Sequence, residues 1–372
     1  MRLALRLARR GYGRTSPNPM VGAVLVKGGK ILGQGWHHRA GEAHAEIEAL
    51  RDARTRGRAV KGATLYVTLE PCCTHGRTPP CTDALRAAGI KRVVAGATDP
   101  NPRHRGRAFR ILRRAGIAVT QGVLAEQCAR LNEEFNHWIV RNTPFVTVKA
   151  GMTLDGKIAT ARGESKWITG ERARAYGMRL RQGADAILVG INTVLADDPG
   201  LTARMKMADG GWRMAKPLRR IVLDSRARTP LRAKVVSDEW SGLTTVVVSK
   251  LAPKKRVTAL AKRVDVLRAP SGEARINLCW LLRQLGAEHV TNLLVEGGGE
   301  VNASFLLQGL AQRVAFFYAP MILGGRDARK AVAGEGARTL AESLKLSEVE
   351  WHRLGPDWLL SARVDSRRSQ RL

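Results

Sequence analysis

The chain has 372 residues, of which 44% are hydrophobic, and a formal net charge of +31. The length exceeds what one average domain needs, and the apolar share is enough for ordinary cores, which argues against extensive disorder. The positive excess is spread over both halves rather than gathered in a tail. Aromatic residues make up only 5% and do not interleave with the basic ones, so nucleic acid is not an expected partner despite the charge.

Residues 2–10 read as an amphipathic first helix whose leucines are broken by arginines. Ser16-Pro17-Asn18-Pro19 is a loop. A strand over 20–26, a turn at Lys27-Gly28-Gly29-Lys30 and a second strand over 31–36 form a hairpin. A helix over 44–53 follows, with His44 and Glu46 in its first turn. Next come a buried strand over 63–69, a cysteine-bearing loop and a helix over 81–88 stopped by Gly89. A strand over 92–97, a helix around 106–115 and a short strand over 117–120 lead to a long helix over 124–141. Helix alternating with strand indicates an α/β layer domain, 1–143, closed before Pro144. Strands near 145–149, 185–190, 219–224, 244–249, 292–296 and 313–318, with helices near 171–182, 275–285 and 300–309, predict a second α/β domain, 144–364. Residues 205–218 read as a surface loop, and 365–372 as a disordered basic tail.

There are five cysteines: Cys72, Cys73, Cys81, Cys128 and Cys279. An odd number with three clustered fits a metal site in a reducing cytosol better than a disulfide framework. Cys128 and Cys279 read as inert core residues. No apolar run reaches membrane-spanning length, so a cytoplasmic protein without a membrane partner is expected. Homo-oligomerisation is left open.

The strongest chemistry lies between residues 44 and 81. His44-Ala45-Glu46 and Pro71-Cys72 match the H-x-E and P-C halves of a zinc-deaminase signature, but the next signature cysteine, Cys81, comes after eight residues rather than two. One imidazole and two thiolates suit zinc over magnesium or calcium. Three protein ligands leave a fourth position for water, as in catalytic sites. His44, Cys72 and Cys81 are therefore the candidate ligands. Cys73 competes with Cys72, which is preferred because it directly follows Glu70-Pro71. Glu46 is the candidate proton shuttle, taking a proton from the attacking water and passing it to a leaving amine.

Ser16-Pro17-Asn18-Pro19-Met20-Val21-Gly22, Ala40-Gly41-Glu42-Ala43-His44-Ala45-Glu46, Thr68-Leu69-Glu70-Pro71-Cys72, Gly76-Arg77-Thr78-Pro79-Pro80-Cys81 and Asp99-Pro100-Asn101-Pro102 together resemble the bifunctional riboflavin-biosynthesis deaminase/reductase family. The likeness continues through 149–157, 163–169, 192–199 and Glu296-Gly297-Gly298-Gly299, and so spans nearly the whole chain in order. It implies a cytidine-deaminase-like zinc domain followed by a dihydrofolate-reductase-like NADPH domain. The implied reactions are consecutive: deamination of a diamino-ribosylamino-pyrimidinone 5′-phosphate, then reduction of its ribose to a ribityl chain. Around the first substrate the family implies Asn18, His37, Arg77, Asp99 and Asn101, with Arg77 suited to a phosphate. One departure is Thr74, where the family often has histidine; here His75 is next.

The second half has no G-x-G-x-x-G after its first strand, so a Rossmann dinucleotide site is not supported. A glycine turn comes late, between the strand ending at Glu296 and the helix over 300–309. Glycines there let backbone N–H groups approach a pyrophosphate. The resemblance implies Gly151, Trp167, Thr193, Asp197, Ser225, Gly298, Gly299, Glu300, Val301, Asn302, Ala303 and Ser304 for NADPH. For the substrate it implies Ser165, Arg181, Leu201, Arg204 and Glu296, with Arg181 and Arg204 as phosphate clamps. Lys149 and Asp155 flank a strand end and are candidates for polarising the ribose. The rival readings are an RNA-editing deaminase, disfavoured by the long cysteine gap and the whole second domain, and a module with one decayed site.

Overall fold

A computed structural model describes residues 1–75, 79–206, 212–270 and 275–365. The chain divides into two compact units, Met1–Asn142 and Thr143–Leu372. The tail expected over 365–372 lies outside the described residues from 366 onward.

In the first unit α1 (Arg2–Ala8) buries Ala4, Leu5, Leu7 and Ala8, and residues 9–11 tighten into a 3₁₀ turn rather than extend the helix. Strands β1 (Gly22–Lys27) and β2 (Lys30–Trp36) pair as a hairpin. Helix α2 (Ala45–Thr55) crosses them with Ala45, Ala49 and Ala53 inward, all fully buried. A Cβ on Gly33 would stand 2.2 Å from Ala49 O, and one on Gly35 would stand 2.4 Å from Ala49 N. Small residues on both partners thus draw helix and strand into backbone contact, which fixes where α2 begins. His44 is the residue before its first turn, with extended backbone, not a residue within that turn.

Strand β3 (Thr64–Leu69), α3 (Cys81–Ala87), β4 (Arg92–Ala97), α4 (Arg107–Arg114) and β5 (Ala118–Thr120) complete a five-stranded sheet of order β2-β1-β3-β4-β5. β1 is antiparallel to both neighbours, and β3, β4 and β5 run parallel. The helix expected over 124–141 is two helices, α5 (Ala125–Leu131) and α6 (Glu133–Arg141). Asn132 breaks them, at φ −123° and ψ 31°. Its buried side chain accepts from Met20 N (2.7 Å) and donates to Met20 O (2.9 Å). Two such bonds, each contributing about 1 kcal/mol net, outweigh one more residue of helix continuity. Periodicity along the helix cannot reveal them.

The second unit opens with β6 (Phe145–Thr153) and a short β7 (Lys157–Ala159). There follow α7 (Glu171–Gly183), β8 (Ala186–Gly190), α8 (Ile191–Asp197), β9 (Ala203–Lys206), β10 (Trp212–Lys216) and β11 (Arg219–Leu223). Then come α9 (Lys234–Ser237), β12 (Thr244–Val248), α10 (Lys254–Ala261), β13 (Asp265–Arg268), α11 (Leu278–Ala287), β14 (Asn292–Val295) and α12 (Gly299–Leu307). The chain ends with β15 (Arg313–Ala319), β16 (Arg329–Lys330), β17 (Leu346–Leu354) and β18 (Asp357–Val364). Nine strands form one sheet, in the order β13-β12-β11-β8-β14-β6-β15-β18-β17. It is parallel from β13 to β15 and antiparallel beyond.

Alternate strand residues bury both faces. Val146, Val148, Leu293 and Val295 pack with Leu281 and Leu285 of α11 and Phe305 of α12, while Ile187, Val189, Val222 and Val246 pack with Val194, Val235 and Leu260. β14 lies between β8 and β6, so the strand order reverses there, and ligands bind at such switch points beyond the carboxyl ends of the strands. The loop expected over 205–218 is instead largely a paired ribbon, β9 against β10, with residues 207–211 outside the described ones.

Candidate functional site

In the first unit, the ends of three elements meet. His44 caps α2, Cys72 follows β3 and Cys81 opens α3. Both sulfurs face His44 Nδ1, Cys72 Sγ at 3.4 Å and Cys81 Sγ at 3.3 Å, and the Cys81 backbone N–H points at Cys72 Sγ (3.2 Å). One donor atom from each residue lies within 4.8 Å of the others, the single such His/Cys/Asp/Glu cluster among the described residues. One imidazole nitrogen and two soft sulfurs at this spacing fit zinc with one position open. Cys73 stands apart, its Sγ 4.0 Å from His104 Nδ1.

Hydrogen bonds from Cys81 and His44 bring the Cys72 thiol down to about 4, against its burial, with the Cys81 N–H adding to the effect. Cys81, holding the shared proton against Cys72 in a buried position, is pushed up. The contact with Cys72 raises His44. Glu46 is buried beside this group. Its pKa is raised to about 7, first by burial and then by the charge on Cys72.

His37 is buried, with its ring edge-on to His44 at 5.4 Å. Its Nδ1 is 3.0 Å from Ala43 O and its Nε2 is 3.1 Å from Asn18 Nδ2. An acceptor on one side and an amide donor on the other define a neutral ring protonated at Nδ1, which agrees with the lowering of its pKa by burial. Asn18 and His37 are therefore together, next to the metal ligands. Asp99 and Asn101 lie past β4. Asp99 Oδ1 accepts from Asn101 N (2.9 Å), and burial raises the Asp99 pKa. Arg77 lies outside the described residues; Thr74 is half-buried and His75 exposed.

Glu70, read from sequence only as part of the motif, has a defined task. Its carboxylate accepts from the backbone N–H of Asp99 (3.1 Å), Gly106 (2.9 Å) and Ala108 (3.0 Å). It ties the 99–108 segment to the end of β3 and so holds Asp99 and Asn101 near Cys72. A glutamate beside a proline carries no sequence signal for this.

In the second unit, Glu296 directly follows β14. Arg181 of α7 grips it bidentately, Nε to Oε1 at 2.8 Å and Nη2 to Oε2 at 3.0 Å, while Nη1 donates to Thr202 O (3.0 Å). Lys149 Nζ is 3.6 Å from Glu296 Oε2. Burial alone would raise Glu296, but the two cations overcome it and hold the carboxyl down to about 2. Each Arg181 guanidinium nitrogen has one protein acceptor, which leaves one N–H on each of Nη1 and Nη2, and the pairing with Glu296 makes Arg181 a positioning residue for that carboxylate as well as a candidate substrate contact. Arg204 is exposed on β9, and Leu201 is buried at φ +50°. Asp155, the other candidate for polarising the ribose, has partners outside this cluster. It accepts from Thr153 Oγ1 (2.6 Å), Leu323 N (3.1 Å) and Gly324 N (2.8 Å), and these bonds lower it to about 2.

Beyond the carboxyl ends of β8 and β14 lies a cavity of about 370 Å³. Ser165, Thr193, Asp197, Gly298, Gly299, Glu300 and Val301 of the expected residues line it. Ser165 Oγ donates to Asp197 Oδ1 (3.1 Å). A Cβ on Gly298 would meet nothing nearer than Thr193 Oγ1 at 3.9 Å, so the turn presents bare backbone to open space. This cradle suits a dinucleotide phosphate.

The other expected residues lie elsewhere. Gly151 is on β6 beside Thr169, and Trp167 is 69% exposed with Arg174 over its ring at 4.7 Å. The Ser225 carbonyl accepts from Ser249 N and Oγ. Asn302 and Ala303 are buried in α12, and Ser304 Oγ donates to Glu300 O (2.8 Å). No helix among the described residues is long and apolar enough to cross a membrane.

The folds and sites define a zinc-binding deaminase domain followed by a reductase domain. Residues 1–97 match the cytidine and deoxycytidylate deaminase zinc-binding region, and residues 144–360 match the RibD C-terminal domain. The chain is 44% identical over 362 residues to the riboflavin biosynthesis protein RibD of Actinobacillus pleuropneumoniae, covering 97% of this chain and 93% of that one. It is 44% identical over 360 residues to the Aquifex aeolicus counterpart, covering 97% and 96%. The solved Acinetobacter baumannii RibD superposes with a TM-score of 0.85 at 35% identity, covering 98% and 97%. A Thermotoga maritima diaminohydroxyphosphoribosylaminopyrimidine deaminase/5-amino-6-(5-phosphoribosylamino)uracil reductase gives 0.82 at 35%, with the same coverage. The chain belongs to the RibD family of bifunctional deaminase/reductases of riboflavin biosynthesis.

Proposed function

We propose that the first unit hydrolytically deaminates 2,5-diamino-6-(ribosylamino)-4(3H)-pyrimidinone 5′-phosphate. The second unit then reduces the ribosyl side chain of the product with NADPH, giving 5-amino-6-(ribitylamino)uracil 5′-phosphate. The observation that carries this reading is the convergence of His44 Nδ1 with the Cys72 and Cys81 sulfurs beside the buried Glu46.

His44, Cys72 and Cys81 hold zinc, which when bound supplies a Lewis acid that makes water a nucleophile near neutral pH. Glu46 takes the proton from the attacking water and delivers it to the departing amine, which leaves as ammonia. Its carboxyl is buried beside the three ligands, where the attacking water and the departing amine must both be reached. The neutral His37–Asn18 pair and the Asp99–Asn101 loop present amide and carboxyl groups to the pyrimidine edge, and Arg77 pairs with the phosphate.

In the second unit, residues 297–301 with Thr193 and Asp197 hold NADPH, which supplies the hydride. Arg181 fixes Glu296, and Glu296 in turn fixes Lys149, whose ammonium polarises the opened sugar. Arg204 takes the phosphate. The chain's own work there is positioning and exclusion of water.

The test uses purified, zinc-loaded protein. Release of ammonia from the diaminopyrimidinone nucleotide, followed by loss of NADPH absorbance with the deaminated product, is the expected result. Absence of both reactions would sink the proposal.

A further inference from the structure

Two cations that no motif singled out line the wall of the reductase-domain cavity. Arg329 and Lys330 form β16, which pairs antiparallel with β7. Neither side chain has a hydrogen-bond or carboxylate partner among the described residues. In this Arg-rich chain an unpartnered surface cation is ordinary, but these two are held in place by their backbone. Ala331 N donates to Gly156 O (2.9 Å) and Ala333 N to Gly299 O (3.1 Å). Buried Asn302 donates Nδ2 to Ala331 O (2.8 Å). A Cβ on Gly299 would stand 2.3 Å from Lys330 O, so only glycine lets the strand reach the first turn of α12. The segment 329–333 is thereby fastened on one side to β7 and on the other to the start of α12.

We infer that Arg329 and Lys330, with the first-turn N–H groups of α12, hold the pyrophosphate of the dinucleotide. The inference rests on reading this cavity as the NADPH site. Two positive side chains and a helix N-terminus converge on one cavity, and each alone favours a phosphate. The carboxylates on the same wall are turned to protein donors: Asp197 Oδ1 accepts from Ser165 Oγ, and Glu300 Oε1 accepts from Gly334 N (3.4 Å). Gly163 completes the wall. A Cβ there would stand 3.4 Å from Arg329 Nη2, and its φ of +92° favours glycine.

The pyrophosphate is common to NADPH and NADH, whereas the 2′-phosphate belongs to NADPH alone. The experiment is calorimetric titration of both dinucleotides into zinc-loaded full-length protein, wild type and the variants Arg329→Ala, Lys330→Ala and the double variant. Each single change is expected to weaken both dinucleotides by the same factor, roughly tenfold, and the double variant by more. Inorganic pyrophosphate is expected to compete in the wild type and to lose that ability in the double variant. Melting temperature should stay unchanged, because both side chains are exposed and unpartnered. Arg329→Lys should recover part of the affinity. Unchanged affinity in the double variant overturns the inference while leaving the cavity's reading intact. A loss confined to NADPH overturns it in favour of 2′-phosphate recognition. Failure of the wild type to bind either dinucleotide overturns the underlying reading as well.

Discussion

The two sites of this chain are built from different materials. The deaminase site is made of side-chain atoms: an imidazole nitrogen, two sulfurs and a carboxylate, each supplied by one residue type. The reductase unit relies largely on bare backbone, with Gly298 facing open space, on the unpaired cations Arg329 and Lys330 at the cavity wall, and on the paired charges of Arg181 and Glu296. The first should fail outright when one atom is changed. The second should degrade by steps, since shape and charge are shared among many residues.

The sharpest separation between them is expected from the metal site. Chelation, or Cys81→Ser, should remove zinc and abolish ammonia release, while NADPH oxidation with the deaminated product stays within about twofold. Metal analysis alongside the two half-reactions checks this, and unchanged zinc content in Cys81→Ser would remove the ligand assignment. Glu46→Gln should keep zinc yet slow deamination by about 10²–10⁴-fold. A variant that lost metal as well would show Glu46 to be structural.

The next effect lies in the second unit. Glu296→Ala leaves the half-buried Arg181 and Lys149 without their counter-charge, and should destabilise that unit by about 2–3 kcal/mol in urea unfolding. Its acid limit follows from the same cluster. The folded pKa of Glu296, about 2, lies below its ordinary value near 4.5, so the stabilisation is complete above that ordinary value and is lost as pH falls toward 2. The loss is on the order of 3 kcal/mol, and Glu296→Gln should flatten stability across that window. A profile identical to wild type would show that the ion pair does not couple to folding.

The smallest effect contrasts two adjacent glycines. Gly298→Ala places its Cβ no nearer than 3.9 Å to Thr193 Oγ1 and should leave stability within about 0.5 kcal/mol while weakening NADPH roughly tenfold. Gly299→Ala drives a Cβ against Lys330 O and should cost stability as well. Equal melting temperatures for the two would contradict the contact described.

What could be read from the sequence follows the same division. Strands β3, β4 and β8 are apolar runs, and the metal-site residues are rare types in a specific pattern, so both were legible. Asn132 was not, because what breaks the helix is Met20, far away in sequence. The β9–β10 ribbon is mixed in composition and has no alternation to reveal it. β17 is an edge strand whose side chains are mostly exposed, so it shows no buried face. Glu70 looked like a motif letter and is a clamp on three backbone amides. Arg329 and Lys330 could not stand out, since their significance comes from the backbone bonds that hold them and not from their type.

The bonds between Asn132 and Met20 also bear on how the molecule can be dissected. The zinc-binding region recognised in sequence ends at residue 97, and all three donor residues lie inside it. Yet the loop bearing Asn18 is fastened at residue 132, and Asn18 orients His37 against the imidazole of His44. A fragment cut at 97 would carry every metal-binding atom and still release the loop that flanks them. The shortest piece expected to work by itself reaches Asn142, so α5 and α6 are working parts of the catalytic domain rather than a spacer to be trimmed.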